Sequence, residues 1–181
     1  MKISRSTSLS DTAFAVCSAL DEAGITAVLT GGSAATVYAP HAYQSRDLDF
    51  IVELRARGSN ANEALISLGY QLEVDHYLHN ENPLILEFPS GPLAVGGDLI
   101  REWDTLRKED YLLHIINPTD SCRDRLAGFL FWNDRGSLEQ AVAVAAAQTP
   151  RVNLEAIRSW CNSESRLEKF MEFERTLRQH R

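Results

Sequence analysis

The stretch that decides the fold reads Thr30-Gly31-Gly32-Ser33, then thirteen residues, then Asp47-Leu48-Asp49-Phe50. It follows the short apolar run Ile25 to Leu29, which has strand character. A Gly-Gly pair directly after a strand admits positive φ and lets backbone N–H groups approach a ligand closely. Ser33 is a good N-cap for a short helix over 34–38, which Pro40 stops. The amides of Gly31 and Gly32, the Ser33 hydroxyl and the N-terminus of that helix together make an anion site of phosphate size. Asp47 and Asp49 are i and i+2 on the next strand, so both carboxylates point to one face, roughly 6.6 Å apart along the chain. Two such carboxylates repel unless a cation sits between them. Mg²⁺ (or Mn²⁺) uses one or two protein carboxylates together with phosphate oxygens. A phosphate cradle facing a carboxylate pair is therefore the minimum equipment for metal-assisted phosphoryl or nucleotidyl transfer.

Around this centre the chain divides in two. Residues 1–116 read as a small mixed sheet with helices. A first helix capped by Ser10 or Asp11 ends at Gly24, with Phe14, Val16, Cys17 and Leu20 inward. Strands follow over 25–29, 47–53, 70–74, 84–88 and 111–116, a helix over 60–68 ends at Gly69, a polar loop spans 75–82, and 93–95 forms a brief strand before Gly96-Gly97. From Pro118 the character is all helical. Thr119 or Asp120 caps one helix running through Leu130; further helices cover 138–148, 154–160 and 167–177, the last presenting Leu167, Phe170, Met171 and Leu177 on one face. The fold class is thus α+β: a sheet core over 1–116 followed by a helical module over 117–181.

Composition narrows the partners. The net charge is −7, with 44% apolar and 24% charged residues, as in ordinary globular chains. That charge argues against a protein that holds nucleic acid by a basic face alone. The first 150 residues carry 11 basic and 20 acidic side chains and the last 31 carry 7 and 5, so a polyanion contact belongs at the C-terminal end. Cys17, Cys122 and Cys161 are widely spaced, with no C-x-x-C, which reads as reduced thiols in a cytoplasm. No apolar stretch approaches the roughly 20 residues needed to span a bilayer, so a membrane is not among the expected partners. His41, His76, His79 and His114 have no ligand spacing, and Trp103, Trp132 and Trp160 read as core or interface residues.

The combination of hydrophobic strand, Gly31-Gly32-Ser33, helix and Asp47-Leu48-Asp49-Phe50 resembles the signature of the DNA polymerase β-like nucleotidyltransferase superfamily. Within it, the chain looks most like small bacterial nucleotidyltransferases of the abortive-infection and type IV toxin–antitoxin group. The signature covers about twenty residues, and its gap is at the long end of the family's range. The resemblance implies a metal-dependent transfer of a nucleoside monophosphate from a nucleoside triphosphate. The acceptor stays open among a tRNA end, a protein hydroxyl and a small molecule. It also implies a third carboxylate on a neighbouring strand. Glu87, inside Leu84 to Phe88, is the candidate; a charged group in an apolar strand is costly unless paired or metal-bound. Glu53 shares the parity of Asp47 and Asp49 and is its rival.

The toxin-like relatives place a Lys-Leu pair on a helix and an Arg-Asp segment after it. Arg125-Leu126 and Asp134-Arg135 sit in comparable places, so by resemblance Arg125 neutralises triphosphate charge and Asp134 orients it. Arg in place of Lys is a departure, because a planar fork replaces a point charge. A surface Arg and an interhelical turn would look the same in sequence. Arg46, beside the carboxylate pair, either meets phosphate or faces solvent. The competing expectation is a catalytically inactive protein of the same fold, acting as a binding partner, regulator or antitoxin.

Overall fold

The computed structural model of the protein describes residues 2–180. Helix α1 (Leu9–Glu22) is capped by Ser8, whose side chain accepts the Asp11 N–H at 3.1 Å. The expected caps Ser10 and Asp11 lie inside the helix instead. Ser8 is the residue with extended backbone, and Asp11 returns a carboxylate to its hydroxyl at 2.9 Å. The helix stops at Gly24 (φ +75°), as expected. Strand β1 (Ile25–Thr30) leads into helix α2 (Gly31–Tyr38) with no intervening loop. Ser33 is therefore not the N-cap; Thr30 takes that position and makes no side-chain cap bond.

Strand β2 (Asp47–Arg55) returns antiparallel to β1, and helix α3 (Ala61–Ser67) follows, capped by Asn60 and closed at Gly69 (φ +94°). Strand β3 (Tyr70–Glu73) turns at Val74 (φ +58°) into strand β4 (His76–His79). The loop expected over 75–82 is thus partly strand. Its polar composition hid the pairing: β4 lies between β3 and β5 (Ile85–Glu87), whose ladders supply the order that local propensity does not. A separate two-stranded hairpin, β6 (Ala94–Val95) and β7 (Asp98–Leu99), turns at Gly96-Gly97. Strand β8 (Trp103–Lys108), unsigned in the sequence, pairs with β9 (Tyr111–Ile116).

The main sheet runs β3-β4-β5-β2-β1-β9-β8 and is mixed: β1 is antiparallel to β2 but parallel to β9, and β2 is parallel to β5. The α+β assignment holds, and a helical C-terminal part follows the sheet. Helix α4 (Pro118–Trp132) has Pro118 at its first turn and Asn117, rather than Thr119 or Asp120, as cap. Helices α5 (Arg135–Ala147), α6 (Leu154–Ser163) and α7 (Leu167–His180) are capped or continued as their sequences allow. On α7 the inward face includes Phe170 and Leu177, with Leu167 packed against the core, as expected, but Phe173 completes it in place of Met171, which is 64% exposed. Of the tryptophans, Trp160 is buried, but Trp132 at the end of α4 is 77% exposed rather than core.

Helix α2 contacts β1 and β2 on one side and α4 and α5 on the other. One continuous buried cluster runs from Ile3 through Phe50, Leu86 and Ile115 to Phe129, Trp160 and Leu177. Cys17, Cys122 and Cys161 are unpaired and buried within it. Among the described residues, no helix is long and apolar enough to cross a membrane.

Candidate active site

The site is assembled where β1 ends, α2 begins and β2 passes alongside. Gly31 has φ +66°, and a Cβ there would sit 2.3 Å from Asp49 Oδ2. Only glycine permits that conformation together with that approach. The Asp49 carboxylate consequently lies against the first turn of α2. Gly32 is similarly tight, since a Cβ would meet Ser45 Oγ and the Tyr43 ring at 3.3 Å.

Ser33 is fully buried, and its hydroxyl donates to the Thr30 carbonyl at 2.8 Å while accepting the Asp49 N–H at 3.3 Å. The Thr30 hydroxyl donates to the Asp49 carbonyl at 3.3 Å. These two side chains fasten the backbone of Asp49 from both sides. Ser33 is thereby a pin between the motif's two halves, and its oxygen does not open toward the cleft. A second relay places Asp47: the Thr36 hydroxyl donates to the Gly32 carbonyl (3.0 Å) and accepts the Ser45 N–H (3.0 Å), and the Ser45 hydroxyl donates to Asp47 Oδ1 (2.5 Å).

Register separates the two candidate glutamates. In the parallel pair of β2 and β5, Asp49 lies opposite Glu87 and Asp47 opposite Ile85, which puts Glu87 on the face shared by Asp47 and Asp49. Glu53 has a different occupation. Thr26 pairs with Leu54 and Ala27 with Val52, leaving Glu53 as the extra residue of a bulge, and its Oε1 accepts the Leu93 N–H at 2.9 Å. Burial, reinforced by the negative charges of Asp47 and Glu87, pushes the Asp49 carboxyl up to about 6, against the opposing pull of Arg125.

Beside Asp49 lies a cleft of about 250 Å³. Gly31, Asp49 and Ile51 form its floor, the segment from Pro92 to Val95 with Ile100 forms one wall, and Asp124 and Arg125 of α4 form another. Arg125 thus reaches the motif from the helical part, its Nε and Nη2 donating to Asp124 Oδ2 at 3.0 and 2.7 Å. Asp124 escaped sequence reading, because adjacent helical residues give no periodic signal that both turn to one cleft.

Arg46 is exposed, one of the two placements expected of it, and like Gly32, Ser33, Asp47 and Glu87 it does not line the cleft. Asp134 caps α5, accepting from Gly136 N–H (3.0 Å) and the Ser137 hydroxyl (2.6 Å), which with burial opposing holds its carboxyl below the usual range; it does not line the cleft. A larger hollow of about 700 Å³ runs along one flank of α7 and contains none of the motif residues.

Among the described residues, no three His, Cys, Asp or Glu side chains already converge to hold a metal. No protein-family model matches the chain, and no curated protein matches it.

Proposed function

We propose that the chain is a metal-dependent nucleotidyltransferase, moving a nucleoside monophosphate from a nucleoside triphosphate to an acceptor hydroxyl. The observation that carries this reading is the position of Asp49. It lies against the positive-φ Gly31 at the start of α2 and shares a face with Asp47 and Glu87. Burial first, and then the charges of Asp47 and Glu87, raise the cost of ionising Asp49, and a divalent cation would relieve it. The donor set is all oxygen, which suits Mg²⁺ or Mn²⁺. Asp47 and Asp49, with Glu87 as a further ligand, would hold the ion. Bound there, the ion would polarise the α-phosphate and neutralise charge on the leaving pyrophosphate.

The chain's own residues divide the remaining work. The amides of Gly31 and Gly32 and the N-terminus of α2 favour phosphate charge. Arg125, exchanging Asp124 for phosphate oxygens, adds a planar cationic fork. The acceptor oxygen attacks phosphorus in line, the bond from phosphorus to the bridging oxygen of pyrophosphate breaks, and Glu87, where it is not a metal ligand, takes the acceptor proton. The acceptor is a tRNA end, a protein hydroxyl or a small molecule, and the setting proposed is cytoplasmic, in a toxin–antitoxin or phage-defence role.

A second reading is favoured by Ser33, whose hydroxyl is fully engaged within the fold. In it the chain is an inactive relative that serves as a binding partner, regulator or antitoxin. Incubation with Mg²⁺ and each α-³²P-labelled nucleoside triphosphate separates the two. Transfer of label to RNA or protein, or pyrophosphate release, abolished in Asp47→Ala/Asp49→Ala, supports the enzyme. No turnover and no metal-dependent nucleotide binding would sink it.

A further inference from the structure

The lining of the cleft beside Asp49 is of two kinds. Asp49, Asp124 and Arg125 are charged. Along the wall of Ile51, Pro92, Leu93, Val95 and Ile100 no side chain can hydrogen-bond. The backbone of that wall is largely spent as well. Pro92 has no N–H. The Leu93 N–H donates to Glu53 and its carbonyl accepts the Ile100 N–H, both at 2.9 Å. The carbonyl of Ile116, which also lines the cleft, accepts the Tyr38 hydroxyl at 2.8 Å. Thr30, the neutral polar side chain of the lining, has already given its proton to the Asp49 carbonyl.

We propose that this apolar part of the lining holds the base of the bound nucleoside triphosphate by shape alone, so that all four bases are accepted on comparable terms. The inference rests on the nucleotidyltransferase reading and names the nucleotide preference of that same site. With a divalent cation on the carboxylates, the charged lining takes phosphate and the apolar lining is left for a flat, weakly polar group, which a nucleotide combines. The volume of about 250 Å³ is below the roughly 300–1,000 Å³ of sites that enclose a whole drug-sized ligand, so only part of the nucleotide is enclosed. A hydrophobic pocket separates similar ligands by about 10- to 200-fold, whereas a pocket that hydrogen-bonds a defining group separates them by about 10⁴ or more. With no hydrogen-bonding side chain and much of its backbone already engaged, this wall belongs to the first kind.

Calorimetric titration of the full chain in Mg²⁺ with α,β-methylene analogues of ATP, GTP, CTP and UTP, alongside inorganic tripolyphosphate, tests this. The four dissociation constants are expected to lie within about 200-fold, each tighter than tripolyphosphate; a wider spread overturns the proposal. Ile100→Trp fills the buried side of the wall and Ile51→Trp its half-buried side. Each is expected to reduce analogue affinity to the tripolyphosphate level while tripolyphosphate still binds, which also reports an intact fold. If a variant that binds tripolyphosphate normally still binds the analogues as wild type does, the base lies elsewhere and the proposal fails. Wild-type protein that binds neither analogues nor tripolyphosphate removes the nucleotidyltransferase reading itself, and this inference with it.

Discussion

At the residue scale, Gly31 and Asp49 are a matched pair. Gly31→Ala must either abandon φ +66° or push the Asp49 carboxylate away from a contact of 2.3 Å. A left-handed non-glycine residue costs about 1–2 kcal/mol before that clash is counted. Urea unfolding is therefore expected to show a loss of about 1–3 kcal/mol, and Mg²⁺-dependent nucleotide binding should disappear. Asp49 also dictates a pH dependence. Its folded value of about 6 lies above the ordinary 3.8, so between those values the native state holds more proton than the unfolded chain. Stability of the metal-free protein then falls as pH rises from about 4 to 6 and stays lower above it. Asp49→Asn should raise metal-free stability at pH 7.5 by on the order of 1–3 kcal/mol and flatten that slope, as read by denaturant titration at several pH values. Mg²⁺ affinity of the wild type should weaken as pH drops through about 6, because proton and metal compete for the same oxygens.

At the scale of elements, the Gly-Gly-Ser segment and the Asp-x-Asp strand are joined through Ser33 and Thr30. Ser33→Ala leaves the Asp49 N–H without its partner in a buried place, a loss of about 1–3 kcal/mol. Thermal unfolding is expected to show that loss, and nucleotide affinity should fall as well, because Asp49 loses its backbone anchor. Retention of full nucleotide affinity in Ser33→Ala would show that the pin matters for stability only. Element types were legible wherever periodicity was strong: α1, β1, α3, β9 and the helical tail follow their apolar spacing. Caps were less legible. Ser8, Thr30 and Asn117 take the positions that Ser10 or Asp11, Ser33, and Thr119 or Asp120 were expected to hold, because neighbouring polar residues compete and backbone geometry chooses among them. Strands β4 and β8 were missed for another reason. Their alternation is masked by His76, His79, Arg107 and Lys108, and pairing partners supply their order.

For the whole molecule, the sequence change at Pro118 marks the start of α4 but not the end of the core, since α2 is sandwiched between the sheet and helices α4 and α5. Residues 1–116 produced alone would expose the apolar underside of α2, together with surface buried by Phe129, Leu138 and Val142. That fragment is expected to bind a hydrophobic dye and lack a cooperative thermal transition, whereas the full chain unfolds in one step. Sequence by itself determined what local rules govern: the glycine at the sharp strand-to-helix turn, two carboxylates on one pleat, and the succession of sheet and helices. The tertiary structure alone decided which glutamate neighbours Asp49, where the Ser33 hydroxyl goes, and that Asp124 and Arg125 reach the cleft. Register between β2 and β5, the bulge at Glu53 and the docking of α4 set those outcomes, and each depends on groups far apart along the chain that only packing brings together.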